Sequence, residues 1–337
     1  GRYDQILAKS RDPLQRAETG LGISRIRIGW LDSGPAIDAV LMALRELGLA
    51  PPRNKVFSWF SAIGTFLRSL PGLRTALVRG RAQGDDLRRY KLATSLYVQL
   101  GTSYYFHLEP ENLLRSALQA MRFLRQVGPG REMLEWHLLA GGAAGALRKQ
   151  KPYDWLAAKA RRIAAQLQDP VAIARYRFFR GLFTALLGDT LAAEKQLGNA
   201  LDEIEVLLDP HDFYTGSACL AWCLLLRGAS AEGWDVIDRA LQLEAAGGQL
   251  NAVSGHSYRF YSGPLLGMLG RVEEGRTFIE ERRLEKAEQD ANIRWRRSQQ
   301  LSHSILFHVE SNAVGEEFDE NVRQYLELGL NPARLPL

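Results

Sequence analysis

Apolar residues recur three and four positions apart along most of this chain, which is the spacing that predicts amphipathic helices. From Asp86 onward, segments of about 15 to 20 residues with this pattern alternate with short breaks. Helices joined by such short connections pack antiparallel against their neighbours. The stretch from Ile23 to Trp30 alternates apolar and polar residues, but it is too short to indicate a sheet. The pattern therefore predicts an all-α protein.

Two helices are predicted ahead of this regular region. The first runs from about Ala36 to Leu47, because helix-capping residues precede it and glycine and prolines follow it. The second, from about Asn54 to Leu70, is rich in aromatic residues and is expected to end at Pro71-Gly72. The segment from Gly80 to Gly84 is basic and bounded by glycines, so it is predicted to be an exposed loop.

A unit with fixed internal spacing occurs three times in the second half. Each copy has a small residue, a glycine seven positions later, a small residue five further on and an aliphatic residue four beyond that. The copies are Gly181, Gly188, Ala193 and Leu197; Ala221, Gly228, Gly233 and Ile237; and Gly263, Gly270, Gly275 and Ile279. They lie 40 and 42 residues apart, which is typical of stacked helical hairpins. Such stacks grow as extended superhelices that present binding surfaces.

The spacing also predicts a role for each small residue. The first one in each copy lies where the two helices of a hairpin cross closely, so a bulky side chain there would push them apart. The glycine seven positions later ends the first helix, because glycine adopts positive φ without strain. On this basis the chain divides into an N-terminal segment that is partly irregular (1–34), a helical pair with the basic loop (35–85), the repeats (86–310), and a capping helix with a tail (311–337).

Composition and motifs narrow the class of protein. With 46% hydrophobic and 24% charged residues, the chain can bury a large core and is not disordered. It contains no run of about 18 apolar residues and no signal segment, so a cytoplasmic protein without a membrane partner is expected. No phosphate-binding loop, zinc-protease or nucleophile-elbow motif occurs, and no further Cys or His pair lies near Cys219 and Cys223 to complete a metal site. We therefore expect no catalytic residues, metal or cofactor in this chain.

Charge is distributed unevenly. Residues 1–130 hold 19 Lys and Arg against 10 Asp and Glu, whereas residues 131–337 hold 24 against 28. The basic first part could attract an acidic partner or dock another part of a larger protein.

The repeated positions resemble the tetratricopeptide pattern. The best copy reads Gly181, Gly188-Asp189, Ala193, Leu197 and Ala200-Leu201, although the 40-residue period exceeds the usual one. The resemblance implies a right-handed α-α superhelix. The order of the preceding elements, from Leu47-Gly48 and the prolines through Tyr104 to Phe106, also resembles the C-terminal helical region of bacterial signalling proteins. In those proteins a kinase or cyclase domain and a STAND-type ATPase precede tetratricopeptide-like repeats.

The resemblance implies where a ligand would bind. In tetratricopeptide-like hairpins the first helix lines the concave surface, so a mainly apolar groove is expected. Its candidate residues are Tyr105, Phe178, Leu182, Trp222, Leu225 and Phe260. The same residues could instead form the core between successive hairpins. Two basic clusters are candidate contacts for an acidic partner or for phosphates, or are solvated helix faces, and they comprise Arg175, Arg177 and Arg180, and Arg294, Arg296 and Arg297.

These observations predict a non-catalytic interaction and sensor module of a larger cytoplasmic signalling regulator, with a protein, peptide or ligand in the groove. The partner could be another domain of the same protein. A free-standing adaptor or chaperone-like scaffold is the alternative, and nucleic-acid binding through the basic first third is a further one. Any ATPase or kinase activity would lie outside this chain.

Overall fold

The computed structural model describes residues 12–29, 32–52, 54–76, 80–107, 109–208, 210–246, 262–280, 301, 304–309, 311 and 315–327. These residues form helices and short connections and contain no strand. The predicted all-α class is therefore confirmed. The apolar alternation that begins at Ile23 belongs to a helix as far as Gly29. None of the helices in this described part combines the length and the apolar character needed to cross a membrane.

The helices divide between two compact units, Gly1–Ala144 with Gln150–Tyr176 and Gly145–Lys149 with Arg177–Leu337. The bounds in the first unit and at its border are α1 Pro13–Gly29, α2 Ser33–Glu46, α3 Lys55–Ala76, α4 Gly84–Phe106, α5 Pro110–Val127, α6 Arg131–Ala146, α7 Gln150–Leu167 and α8 Pro170–Leu186. Those that follow are α9 Thr190–Gly198, α10 Leu201–Leu207, α11 Pro210–Leu226, α12 Ser230–Ala245, a helical segment 262–268, α13 Val272–Glu280, a segment 304–309 and α14 Glu316–Glu327.

The N-terminal helices differ in detail from the prediction. Helix α1 occupies Pro13–Gly29, where a partly irregular segment was expected, and it packs against α2 and α4. Helix α3 continues to Ala76, so the predicted end at Pro71-Gly72 is wrong. A proline removes only one backbone N–H, and a helix with tertiary contacts can continue past it. Helix α3 has such contacts, because it packs along α5.

A polar cluster holds the connection between α2 and α3. The hydroxyl of Tyr97 donates a hydrogen bond to the carbonyl oxygen of Leu49 at 2.9 Å, and the same oxygen accepts one from Arg122 at 2.6 Å. Arg89 donates to the carbonyl oxygen of Leu47 at 2.5 Å. Burial raises the pKa of Tyr97 to about 12, so the phenol stays neutral and keeps its donor. Three side chains from α4 and α5 thus satisfy backbone carbonyl groups in the segment that follows α2.

The segment before α4 is a loop, as predicted, but part of its backbone packs against the end of α5. The backbone N–H groups of Arg81 and Ala82 both donate to the carbonyl oxygen of Gln126, each at 3.1 Å. A Cβ on Gly80 would lie 2.6 Å from the carbonyl oxygen of Val127. The side chains of Arg81 and Gln83 are exposed, whereas Gly80 and Ala82 are half-buried, so part of the backbone of this segment covers the end of α5.

The hairpin crossings lie where the spacing placed them. A Cβ built on Gly181 in α8 would lie 2.5 Å from Cγ of Leu197 in α9, and one on Gly263 would lie 2.8 Å from Cδ1 of Ile279 in α13. The matching pair in the middle copy, Ala221 and Ile237, is fully buried. The turn glycines have positive φ, with +94° at Gly188, +80° at Gly228 and +74° at Gly270. Both predicted roles are therefore confirmed.

The second small residue of each later copy makes a different contact. A Cβ on Gly233 in α12 would lie 2.7 Å from Cδ2 of Leu265, and one on Gly275 in α13 would lie 2.7 Å from Cε2 of Phe307. Each partner lies 32 residues further along the chain, beyond the end of its own hairpin. The first small residue therefore closes a hairpin, and the second brings the next hairpin against it.

Replacing Gly181 with alanine is expected to lower the free energy of unfolding by about 1–3 kcal/mol, because the new methyl group overlaps Leu197 in a packed crossing. Chemical denaturation followed by circular dichroism measures the change. Gly198→Ala is the matched control, since Gly198 is the exposed last residue of α9 with no atom within 4 Å of its Cβ position. That variant should be neutral or gain up to about 1 kcal/mol. Equal effects of the two variants would refute the close crossing.

Candidate interaction surfaces

Two of the predicted groove residues lie in the core of the second unit. Phe178 is 2% exposed, and Leu225 is buried in the same hydrophobic cluster. The physical reason is helical geometry. Gly181 and Ala221 face the crossing, so side chains three positions before and four positions after them share that face. Phe178 and Leu225 are therefore core residues, which was the alternative interpretation of the sequence. Such buried side chains offer a ligand no surface.

The other two residues predicted on these helices, Leu182 and Trp222, are half-buried. They pack against the core cluster from outside, together with Phe179 and Cys219. Each residue is displaced by about 100° or more around its helix from the crossing residue Gly181 or Ala221. We call these four residues the apolar wall. The groove predicted from the sequence does not include Phe179 or Cys219. Each lies three residues before a predicted groove residue, Leu182 or Trp222, and therefore on the same side of its helix.

Aromatic contacts hold the α8 side of this wall. The ring of Phe179 lies 5.0 Å from that of Phe178 and 5.3 Å from that of Phe183, measured between centroids. Helix α11 approaches the same cluster at Gly216, where a Cβ would lie 3.6 Å from two ring atoms of Phe178. The wall is therefore backed by packed aromatic side chains, and such backing keeps a contact surface rigid.

The two remaining groove candidates are not among the described residues of the second unit. Tyr105 is half-buried near the end of α4, in the first compact unit. Phe260 lies outside the described residues.

Two of the three basic candidates on α8 have acidic partners. Arg175 forms an ion pair with Glu135 at 2.6 Å, and Arg177 forms one with Glu203 of α10. Arg180 is half-buried on the same helix. The second basic cluster, Arg294, Arg296 and Arg297, lies outside the described residues. Arg175 and Arg177 are thus committed to partners within the chain, which weakens the case that they bind an external acidic group.

Further ion pairs follow the hairpins along the second unit. Arg227 contacts Glu194 of α9 at 2.9 Å and Glu232 of α12 at 2.6 Å. Arg239 of α12 contacts Asp202 at 2.8 Å and also Glu205, both near or in α10. Exposed pairs of this kind contribute at most about 1 kcal/mol each. They link neighbouring helices of the second unit.

Among the residues described, no group of three or more His, Cys, Asp or Glu side chains could hold a metal ion. A hydrogen bond with Cys223 and burial both raise the pKa of the Cys219 thiol, so this thiol stays protonated at neutral pH. His137 is buried in α6, where its Nδ1 contacts the carbonyl oxygen of Met133 at 2.8 Å.

Comparison with protein-family models and with curated proteins finds no match to this chain.

Proposed function

We propose that this chain is an interaction and sensor module of a larger cytoplasmic signalling regulator, and that it binds its partner on the apolar wall. The observation that carries the proposal is the regular hairpin register, with contacts of the same kind at Gly181 and Gly263. A repeated hairpin cannot bury its apolar face alone, so hairpins of this type stack and present their first helices side by side. The proposed arrangement is a tetratricopeptide-like superhelix.

The chemistry of the wall favours an apolar partner segment. Phe179, Leu182, Cys219 and Trp222 carry no charge, and Arg177 and Arg227 are paired with carboxylates of the same unit. An amphipathic helix that lays its apolar face into such a surface is a common mode of peptide recognition. The half-buried indole of Trp222 is the expected anchor, because tryptophan is enriched among residues that dominate binding energy.

Binding at this place would also transmit a signal. The wall spans α8 and α11, which belong to successive hairpins. A ligand that contacts both helices stabilises one relative placement of the hairpins over others, and this differential affinity shifts the conformational equilibrium. A neighbouring catalytic domain that contacts the hairpins would respond to that shift.

Replacing Trp222 with alanine is expected to weaken partner binding by about 2 kcal/mol or more, which is roughly thirtyfold in Kd. The partner is first captured on the immobilised protein and identified by mass spectrometry, and affinities are then measured by calorimetry. Val206→Ala is the matched control, because Val206 is 79% exposed on α10, outside the wall. Wild-type affinity in a folded Trp222→Ala protein would disprove the assignment.

A further inference from the structure

Helix α3 presents its large apolar side chains outward and its small ones inward. Ser58 and Ala62 are buried. Gln119 of α5 reaches this inner face, where its amide donates to the carbonyl oxygen of Ser58 at 3.3 Å and to Oγ of Ser61 at 3.1 Å. Small side chains and a buried polar contact thus hold α3 against α5 within the first unit.

The outer face carries an apolar stripe. Val56, Phe60, Ile63 and Leu67 follow one another at spacings of four, three and four residues, so they share one side of the helix. All four are exposed, with Phe60 at 70% and Leu67 at 59%. Exposed apolar surface of this extent on one helix marks an interaction site.

The stripe is also wide. The residues that flank it are exposed Phe57 and Phe66 and half-exposed Trp59, and no charged side chain lies between Val56 and Leu67. A helix that pairs with one other helix has a narrower seam, usually bordered by charges of both signs. A helix at a membrane surface instead combines Trp, Phe and Leu on one face with Lys and Arg nearby.

The charges that flank the stripe along the chain are of one sign. Residues 47–84 contain six Lys and Arg and no Asp or Glu, and Arg68 and Arg81 are exposed. Two copies of this surface would repel each other, which disfavours a dimer through α3. An anionic surface would be attracted, because basic residues close to acidic lipids each contribute favourably to binding.

We propose that α3 lies on an anionic membrane surface, with Val56, Phe60, Ile63 and Leu67 inserted at the boundary between headgroups and acyl chains. The inner face keeps the helix attached to the protein through Ser58, Ser61 and Gln119. The sequence-based expectation of no membrane partner rested on the lack of a spanning segment, and a surface helix needs none. This surface belongs to α3 in the first unit, so it stands independently of the apolar wall.

The proposal is tested by flotation of the purified chain with lipid vesicles. Wild-type protein should float with vesicles that contain about 30 mol % phosphatidylserine, and about tenfold less with pure phosphatidylcholine or in about 0.5 M salt. The double variant Phe60→Glu with Leu67→Glu should lose flotation. Both residues are exposed, so circular dichroism should be unchanged. Val206→Glu, at another exposed apolar position, is the control and should float like wild type.

Three results would overturn the proposal. The first is wild-type protein that stays in solution with anionic vesicles. The second is a double variant that floats like wild type. The third is a wild-type protein that does not bind vesicles but binds an acidic protein partner or forms a dimer in sedimentation equilibrium, together with a double variant at Phe60 and Leu67 that has lost this contact. That outcome would make α3 a protein interface.

Discussion

Replacing Phe178 with alanine is expected to lower the free energy of unfolding by about 3–5 kcal/mol, the usual range for a phenylalanine removed from a packed core. The ring is 2% exposed, stacks edge-on against Phe179 and faces Gly216 of the neighbouring hairpin. Its removal would leave a cavity between α8 and α11 that rigid helices cannot close. Urea denaturation followed by circular dichroism measures the loss.

The same substitution at Phe60 provides the matched control. Phe60 also lies within a helix, but its ring is exposed, so Phe60→Ala should change the free energy of unfolding by no more than about 0.5 kcal/mol. Comparable losses in the two variants would show that Phe178 is not a core residue and would restore the original groove interpretation for it.

Acidification should destabilise the protein through His137 by about 3 kcal/mol between pH 6.5 and pH 4. Burial lowers the pKa of this side chain from 6.5 to about 4, and the nearby positive charge of Lys159 acts in the same direction. The unfolded chain therefore binds a proton in this window while the folded chain does not. The contribution of neutral His137 is fully present above pH 6.5 and is lost as pH falls through 4.

Comparison of wild type with His137→Gln isolates this effect. Glutamine can donate a hydrogen bond but does not titrate, so the variant should lose less stability than wild type between pH 7 and pH 4. Denaturation curves at several pH values measure the stability of both proteins. Subtracting one pH dependence from the other removes the contributions of the carboxylates, which the two proteins share. Parallel pH dependence of the two proteins would contradict a buried neutral histidine.

The hairpin register is the part of the fold that the sequence predicts best. Helical crossings tolerate only small side chains, and positive φ is easy only for glycine, so both requirements leave marks at fixed spacing. Gly181, Gly188, Gly263 and Gly270 were assigned their roles from that spacing, and the contacts and backbone angles agree. A local steric rule needs no knowledge of distant residues.

The candidate surface was predicted only in part. Leu182 and Trp222 border solvent as expected, whereas Phe178 and Leu225 are core residues. The position of Gly181 was enough to assign Phe178 to the core, because residues three apart in a helix lie on the same face and Gly181 faces the crossing. The ion pairs of Arg175 and Arg177 could not be predicted from spacing, since their partners lie 40 and 26 residues away on other helices.

Helix α3 shows most clearly what sequence and tertiary structure each determined. The sequence alone predicts an aromatic-rich helix from about Asn54 to Leu70, without charges between Val56 and Leu67, in a basic segment. The helix in the structure is Lys55–Ala76. An uncharged helix has no polar face that must point to water, so its own pattern does not decide which side is buried. Only the packing of Gln119 against Ser58 and Ser61 did so, because a close approach between α3 and α5 requires small side chains and leaves the rings of Phe57 and Phe60 in solvent.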